Sequence, residues 1–172
     1  MDFNIELRIA SVADVPVLWN MAVAMGSAKS DGYFDLALEH QDEGIRQVFI
    51  ATLNEEDVGY CMLAWEPKYA FFRKMDIPEI QDLNVLAPFR KRGIGGYMID
   101  YCENLAREAG KDYMGIGVGM DASYGPAQRL YITRGYVPDG NGVTYDRKPI
   151  VKGDFKPVDD EMSLMLIKDL QK

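Results

Sequence analysis

The sequence predicts a single mixed α/β domain with a hairpin-rich first half. Strand-like and helix-like segments follow one another without strict alternation, and a length of 172 residues suits one domain. A doubly wound sheet would instead alternate strand and helix throughout. We therefore expect a mixed, largely antiparallel sheet flanked by helices.

The first quarter of the chain predicts a strand followed by helices. Residues 5–9 alternate apolar and polar side chains, which indicates an opening strand. Ser11 and Asp14 then form a capping-box pattern, so we expect a helix over 12–25. The acidic and aromatic segment 26–44 is expected to be helical only in part.

A hairpin and a further strand are expected next. Residues 47–53 and 58–65 are rich in β-branched and aromatic side chains, and the polar segment 54–57 separates them as a turn. Segment 69–78 is expected to be a loop or a short helical turn. It precedes a strand over 80–86.

The second half predicts two helices, each followed by strands. Apolar residues recur at spacings of three and four along 95–109, which predicts an amphipathic helix. That face consists of Met98, Cys102, Leu105 and Ala109, and Gly110 ends the helix. A strand over 113–120, a helix over 126–134 and closing strands over 143–151 and 162–167 follow.

The strand over 113–120 contains alternating glycines at Gly115, Gly117 and Gly119. They lie along the strand rather than at a turn that opens a helix, so they form no dinucleotide-binding fingerprint. We interpret them as clearance for a neighbouring segment or a ligand.

Composition excludes several classes of function. A net charge of −8 argues against general nucleic-acid binding, and no apolar run reaches the length of a membrane span. Residues 1–4 lack a signal-peptide pattern, and Cys61 and Cys102 fit buried reduced thiols, so we expect a cytoplasmic protein. His40 is the only histidine, which disfavours a catalytic triad or a metal site.

A basic, glycine-containing turn lies between a predicted strand and a predicted helix. It contains the cations Arg90, Lys91 and Arg92 and the glycines Gly93, Gly95 and Gly96, with Ile94 among them. The N–H groups at a helix N-terminus point outward with the positive end of the helix dipole, and glycine permits close approach of a phosphate. In an acidic protein this turn predicts a site for a pyrophosphate.

Two segments together resemble the GNAT-type N-acetyltransferases. Residues 85–95 resemble that family's (Q/R)xxGxG acetyl-coenzyme A motif, and residues 127–136 resemble its A-x-x-L-Y-x-x-x-G-(F/Y) helix. The resemblance implies the family's fold, with the sheet splayed around the fourth and fifth strands. It departs from the family in two places: Tyr124 stands where members often have Asn, and Gly119 stands where some have a catalytic Glu.

The resemblance implies acetyl-CoA as cosubstrate, without a metal. Its pyrophosphate is expected on the turn from Arg90 to Gly96, and its pantetheine arm beside Leu83, Asn84 and Val85, with Ala127 as a further contact. A main-chain N–H near Val85 is expected to polarise the thioester carbonyl. A primary amine, of a small cationic molecule, would then attack directly.

Proton transfer needs a base and an acid. Glu79 and Asp82, or a water held by one of them, are the candidate bases, and Glu79 is favoured because strand alternation places it with Leu83 and Val85. A bulge would reverse that order, and a structural ion pair is the alternative role for Glu79. Tyr131 is the expected acid for the departing thiolate.

Other functions remain open on the same residues. One is a non-catalytic acyl-CoA-binding or sensor protein that keeps the phosphate cradle. Another is an enzyme that acetylates protein N-termini or lysines. The acidic residues of 31–43 and the aromatic residues Trp65, Tyr69, Phe71 and Phe72 are candidates to line an acceptor site, and the segment 138–157 is a candidate wall. A homodimer is possible.

Overall fold

The computed structural model describes residues 4–172 of the chain. The expectation of no signal peptide rested mainly on Met1, Asp2 and Phe3, which lie outside the described residues. Two compact units are distinguished, one formed by residues 4–65 and 80–104 and the other by residues 66–79 and 105–172. The single domain stays a prediction, and each unit is described below by itself.

The elements follow the predicted order closely. In chain order they are β1 (Ile5–Ile9), α1 (Val15–Ala24), α2 (Tyr33–Asp42), β2 (Arg46–Leu53), β3 (Glu56–Ala64), α3 (Ala70–Lys74), β4 (Glu79–Val85), α4 (Ile94–Glu108), β5 (Tyr113–Gly119), α5 (Gly125–Thr133), β6 (Val137–Tyr145), β7 (Lys148–Pro149) and β8 (Met162–Asp169). The mixed α/β class with largely antiparallel strands flanked by helices is confirmed. The splay around the fourth and fifth strands stays a prediction.

The first unit orders its strands β1-β2-β3-β4, with β2 antiparallel to both β1 and β3. The helices α1 and α2 contribute Leu18, Phe34 and Leu38 to a buried apolar cluster with these strands. Phe34 packs edge-on against Trp19 and Tyr60, with ring centroids 5.0 and 5.5 Å apart. Edge-to-face packing fixes the relative orientation of the rings, so the middle of α1 and the first turn of α2 are held against β3.

Along α4 the buried face differs slightly from the predicted one. Met98 and Cys102 are fully buried as expected, and Ile99 and Ala106 join them. Ala109 is exposed because the helix ends at Glu108, one residue before it.

The second unit orders its strands β5-β8-β6-β7, and the pairs that β8 makes with β5 and β6 are antiparallel. Tyr69 and Phe72, at the start of α3, are buried with Ile77 and Met165. A Cβ on Gly115 of β5 would lie 2.2 Å from the Phe72 ring. The interpretation of this glycine as clearance for a neighbouring segment is therefore confirmed.

Two hairpin turns are tighter than predicted. Asn54 and Glu55 alone connect β2 to β3, and both have positive φ, of 50° and 69°. Asp146 and Arg147, with φ of 49° and 61°, likewise split the strand predicted over 143–151 into β6 and β7. Two-residue turns of this kind match the twist of paired strands but usually contain glycine. The polar residues 54–57 still predicted the first turn, whereas no glycine indicated the second.

Candidate active site

The basic turn between β4 and α4 has the backbone conformation of an anion cradle. Lys91 and Gly93 have φ of 61° and 83°, in the left-handed region, while Arg90 is extended. Left-handed residues in a short turn direct successive N–H groups to one side, where they bind anions. The N–H of Tyr97 donates to the carbonyl of Gly93 at 2.9 Å, so the N–H groups earlier in the helix have no acceptor within it.

The three cations of this turn are exposed to solvent. Arg90 Nε donates to the carbonyl of Val85 at 3.0 Å, and Arg92 Nη2 donates to the carbonyl of Pro88 at 3.3 Å. These bonds fix the two guanidinium groups beside the N-terminus of α4. Positive charge from side chains, helix dipole and free N–H groups thus accumulates at one place in an acidic protein.

The strand β4 approaches β3 closely, next to the residues expected beside the pantetheine arm. Leu83, Asn84 and Val85 are half-buried. A Cβ on Gly59 of β3 would lie 2.3 Å from the carbonyl oxygen of Asn84 and 3.3 Å from Cα of Val85. The absence of a side chain at Gly59 therefore sets the position of this part of β4.

Asp82 interrupts β4 with a left-handed backbone, at φ 49°. Its carbonyl accepts a hydrogen bond from the Asn84 side chain at 3.1 Å. A bulge reverses the strand alternation that favoured Glu79, and Asp82 provides such an irregularity. The alternation argument for Glu79 as the base therefore no longer holds across Asp82.

The Asp82 carboxylate is bound by two side chains of the first unit. Tyr33 Oη donates to Asp82 Oδ2 at 2.5 Å, and Lys29 Nζ lies 2.9 Å from Asp82 Oδ1. Burial, followed by the negative charge of Asp82, raises the pKa of Tyr33 above its ordinary value. The hydroxyl therefore stays protonated and remains a donor to the carboxylate.

Glu79, the favoured base, is fully buried and paired in the second unit. Arg147 Nη2 lies 2.8 Å from Glu79 Oε1, and Arg147 Nη1 donates to Ser163 Oγ at 3.2 Å. The guanidinium also passes over Gly117, whose added Cβ would lie 3.3 Å from Arg147 Cζ. A buried carboxylate held by a guanidinium has the surroundings of a structural ion pair, so the base role of Glu79 stays a prediction.

The two departures from the resembled family are packed against each other. The ring of Tyr124 lies over Gly119, and a Cβ at Gly119 would lie 2.3 Å from that ring. Gln128 Nε2 donates to the carbonyl of Gly119 at 2.8 Å. A glutamate at this strand end has no room while Tyr124 is present.

Tyr131 lies on α5 in the second unit. It is 5% exposed, and its ring centroid is 6.3 Å from that of Tyr136. Ala127 lies half-buried in the first turn of the same helix. The roles of Tyr131 as acid and of Ala127 as a cofactor contact stay predictions.

The predicted site residues thus divide between the two units. The first unit contains the basic turn, residues 83–85 and Asp82, and the second contains Glu79, Ala127 and Tyr131. Of the aromatic residues proposed for an acceptor site, Tyr69 and Phe72 are core residues of the second unit. The acidic side chains of α2 are exposed to solvent.

Sequence reasoning missed Lys29 and Arg147. Both pair with a carboxylate that lies far away along the chain, at separations of 53 and 68 residues. No local pattern signals such a pair. The only available clue was the carboxylates themselves, on a strand next to a cofactor motif.

Two features are absent from residues 4–172. No helix there is long and apolar enough to cross a membrane. Across the same range, no group of three or more His, Cys, Asp or Glu side chains is placed to hold a metal ion.

Solved structures share this fold over nearly the whole chain. An acetyltransferase of the GNAT family from Staphylococcus aureus Mu50 is 17% identical with a TM-score of 0.66, and covers 97% of this chain and 99% of its own. A GNAT family acetyltransferase from Elizabethkingia anophelis with acetyl-CoA bound is 18% identical, with a TM-score of 0.63 and coverage of 96% and 98%. The spermidine/spermine N-acetyltransferase SpeG from Vibrio cholerae, in complex with manganese ions, is 13% identical, with a TM-score of 0.68 and coverage of 98% and 94%.

The family assignment comes from the sequence. No curated protein matches this chain significantly. The model of the acetyltransferase (GNAT) domain, however, matches residues 44–138, which is more than half of the chain and includes the basic turn and Tyr131. The chain therefore belongs to the GNAT acetyltransferase family and is an acetyl-CoA-dependent acyltransferase.

Proposed function

We propose that this enzyme transfers the acetyl group of acetyl-CoA to a primary amine of a small cationic molecule. The observation that supports it most is the cradle between β4 and α4, where left-handed Lys91 and Gly93 precede the free N–H groups of a helix. Three exposed cations at 90–92 supply the charge that a pyrophosphate needs.

The residues present fit acetyl-CoA at two places. Gly95 and Gly96, in the first turn of α4, keep the helix N-terminus accessible to a phosphate, and Lys91 and Arg92 add charge. The left-handed backbone at Asp82 interrupts β4 next to residues 83–85, whose main chain is proposed to bind the amides of the pantetheine arm. When bound there, acetyl-CoA supplies the activated acetyl group.

Asp82 is the base that the contacts support better than Glu79. Its carboxylate already holds a primary ammonium, that of Lys29, and is half-buried rather than enclosed. A carboxylate in that position can accept the proton that the acceptor ammonium must lose before it attacks. Glu79 is fully buried beneath Arg147 and is proposed to hold the hairpin between β6 and β7 in place.

Tyr131 is proposed to protonate the departing thiolate of coenzyme A. A phenol of ordinary pKa about 10 is reasonably matched to an alkyl thiol. Its position on α5, next to buried Tyr136, holds the ring in a single packed environment. A fixed ring suits a group that must donate its proton at one atom.

The cationic acceptor is supported by charge and by similar proteins. A net charge of −8 favours cationic small molecules over anionic ones. Among the similar structures is a spermidine/spermine N-acetyltransferase, although at 13% identity it supports only the proposal of a substrate class. We further propose a cytoplasmic enzyme that binds neither nucleic acid nor membrane, because both free cysteines are buried and the charge is negative. Homodimerisation stays a prediction.

A thiol-release assay with a panel of amines tests the proposal. Polyamines, aminoglycosides and peptides with free N-termini are offered with acetyl-CoA. We expect turnover with small polyamines. Binding of acetyl-CoA without turnover of any amine would instead identify a sensor protein, and turnover of peptides alone would identify a protein-modifying enzyme.

Tyr131→Phe tests the acid. We expect kcat to fall by roughly ten- to a thousandfold, because acid–base catalysis contributes in that range, while the affinity for acetyl-CoA stays nearly unchanged. Tyr136→Phe is the matched control, since it removes a hydroxyl from the neighbouring buried ring. Unchanged turnover of Tyr131→Phe across the pH range would exclude the acid role.

A further inference from the structure

Lys29 forms an ion pair with Asp82, the carboxylate that the proposed reaction needs as its base. The loop between α1 and α2 turns Lys29 back onto β4, where its Nζ lies 2.9 Å from Asp82 Oδ1. The same ammonium stands 4.5 Å from the centre of the Tyr33 ring. Side-chain exposure is only 17% for Lys29 and 18% for Asp82. A carboxylate and an aromatic face together are the groups that recognise a primary ammonium.

The carboxylate is held in place from more than one side. The backbone of Asp82 is left-handed in the middle of a strand, a strained conformation for a residue other than glycine that recurs at ligand sites. Tyr33 donates to its other oxygen at 2.5 Å. The two oxygens are thus divided, one for a hydroxyl and one for an ammonium.

A second observation points to a ligand at the same place. The hydroxyl of Tyr60 is buried and forms no hydrogen bond of acceptable geometry within residues 4–172, although the Asn84 side chain faces it. The charge of Asp82 acts on this hydroxyl and, after burial, is the second cause of its raised pKa. The Asn84 side chain is the one polar contact of this hydroxyl among the described residues, so a polar group of a ligand would add a second one.

The loop that carries Lys29 has the means to move away. Gly26 and Gly32 flank it with φ of 68° and 74°, and an added Cβ at either would have open space around it. Glycine in this region lets a loop change its path without steric cost. We therefore expect the loop to allow Lys29 to leave Asp82.

We propose that Asp82, Tyr33 and Tyr60 form the subsite for the primary ammonium of the acceptor, and that Lys29 fills it as an internal competitor until the acceptor displaces it. The inference rests on the proposed function, because it assigns the acceptor end of that reaction. When the acceptor ammonium replaces that of Lys29, the half-buried Asp82 carboxylate stays paired with a positive charge. A neutral or anionic acceptor in the same place would leave Asp82 without a cation. Lys29 thus makes the enzyme selective for primary ammonium groups.

Lys29→Met tests the competitor, since it keeps an unbranched apolar stem and removes the charge. Spermidine is titrated calorimetrically into the full-length protein without acetyl-CoA. We expect the variant to bind at least tenfold more tightly than the wild type, and KM for spermidine to fall by a similar factor. Asp82→Asn should abolish binding in both backgrounds. Lys68→Met is the matched control, because Lys68 pairs with Asp146 at an exposed position.

Thermal unfolding separates competition from a merely structural ion pair. Without amine, Lys29→Met should unfold at a lower temperature than the wild type, and spermidine should raise that temperature more in the variant than in the wild type. Equal or weaker spermidine binding in Lys29→Met, or binding that survives Asp82→Asn, would overturn the inference. These titrations measure binding without acetyl transfer, so they test the ammonium subsite even if the enzyme acetylates none of the amines. Conversely, turnover with an unchanged KM in Lys29→Met would refute the competitor alone.

Discussion

Substitution of Gly59 by alanine should displace the part of β4 on which the cofactor arm is proposed to lie. The added Cβ would be placed 2.3 Å from the carbonyl oxygen of Asn84, which is a main-chain atom and cannot rotate away. Normal contact distances begin near 3.5 Å, so Asn84 must retreat by about 1 Å. Asn84 and Val85 would move together, because the same Cβ lies 3.3 Å from Cα of Val85.

Two effects of different size are expected from this displacement. Overpacking of a closely packed interior costs about 1–3 kcal/mol of unfolding free energy, and each kcal/mol lowers Tm by about 2–4 °C in a chain of this length. A misplacement of about 1 Å at a reacting group costs roughly a hundredfold in rate. We therefore expect a folded variant whose kcat/KM falls much further than its stability.

Thermal unfolding and thiol release, both measured well below the Tm of the variant, test this reasoning. Gly125→Ala is the control, since its Cβ would have nothing within 4 Å and it lies at the start of α5. That variant should be as stable as the wild type or slightly more stable. A Gly59→Ala protein with wild-type Tm and wild-type kcat/KM would refute the close approach of β3 to β4.

Three further predictions concern the carboxylates. Arg147→Met removes the guanidinium partner of fully buried Glu79, so urea unfolding should show a loss of about 3–5 kcal/mol, and a loss below 1 kcal/mol would contradict a structural ion pair. Asp82→Asn should lower kcat/KM for the amine at least a hundredfold and Glu79→Gln less than tenfold, and the reverse order in steady-state kinetics would assign the base to Glu79. Burial raises the pKa of Asp14, but hydrogen bonds from the Ser11 N–H and Arg8 outweigh burial and hold it below its ordinary value. Its contribution should therefore be present at neutral pH and be lost as pH falls through the lowered pKa, so thermal unfolding should show Asp14→Asn destabilising the protein more at pH 7 than at acid pH, and equal destabilisation at both would contradict it.

Most elements could be predicted because their signals are local. The alternation of 5–9 and the apolar spacing of 95–109 depend only on neighbouring residues, and both elements occur where expected. The glycines of β5 were also interpretable, since a strand with one face bare of side chains leaves room for a neighbouring group. Phe72, Arg147 and Tyr124 occupy that room.

The parts that could not be predicted depend on distant contacts or on unusual backbone. The turn at Asp146 and Arg147 has positive φ without a glycine, so only tertiary packing shows it. The same holds for Asp82, whose left-handed backbone breaks the alternation that had favoured Glu79. The basic turn was predictable as an anion site because its charge and glycines lie within seven consecutive residues, 90–96.

Calorimetric titration of acetyl-CoA into the wild type and into Gly95→Val tests the central claim most directly. Gly95 lies in the first turn of α4, where a branched side chain would fill the space proposed for the pyrophosphate. We expect saturable binding to the wild type and none to the variant, with both proteins folded by circular dichroism. Wild-type affinity in Gly95→Val, or no binding to the wild type, would contradict it.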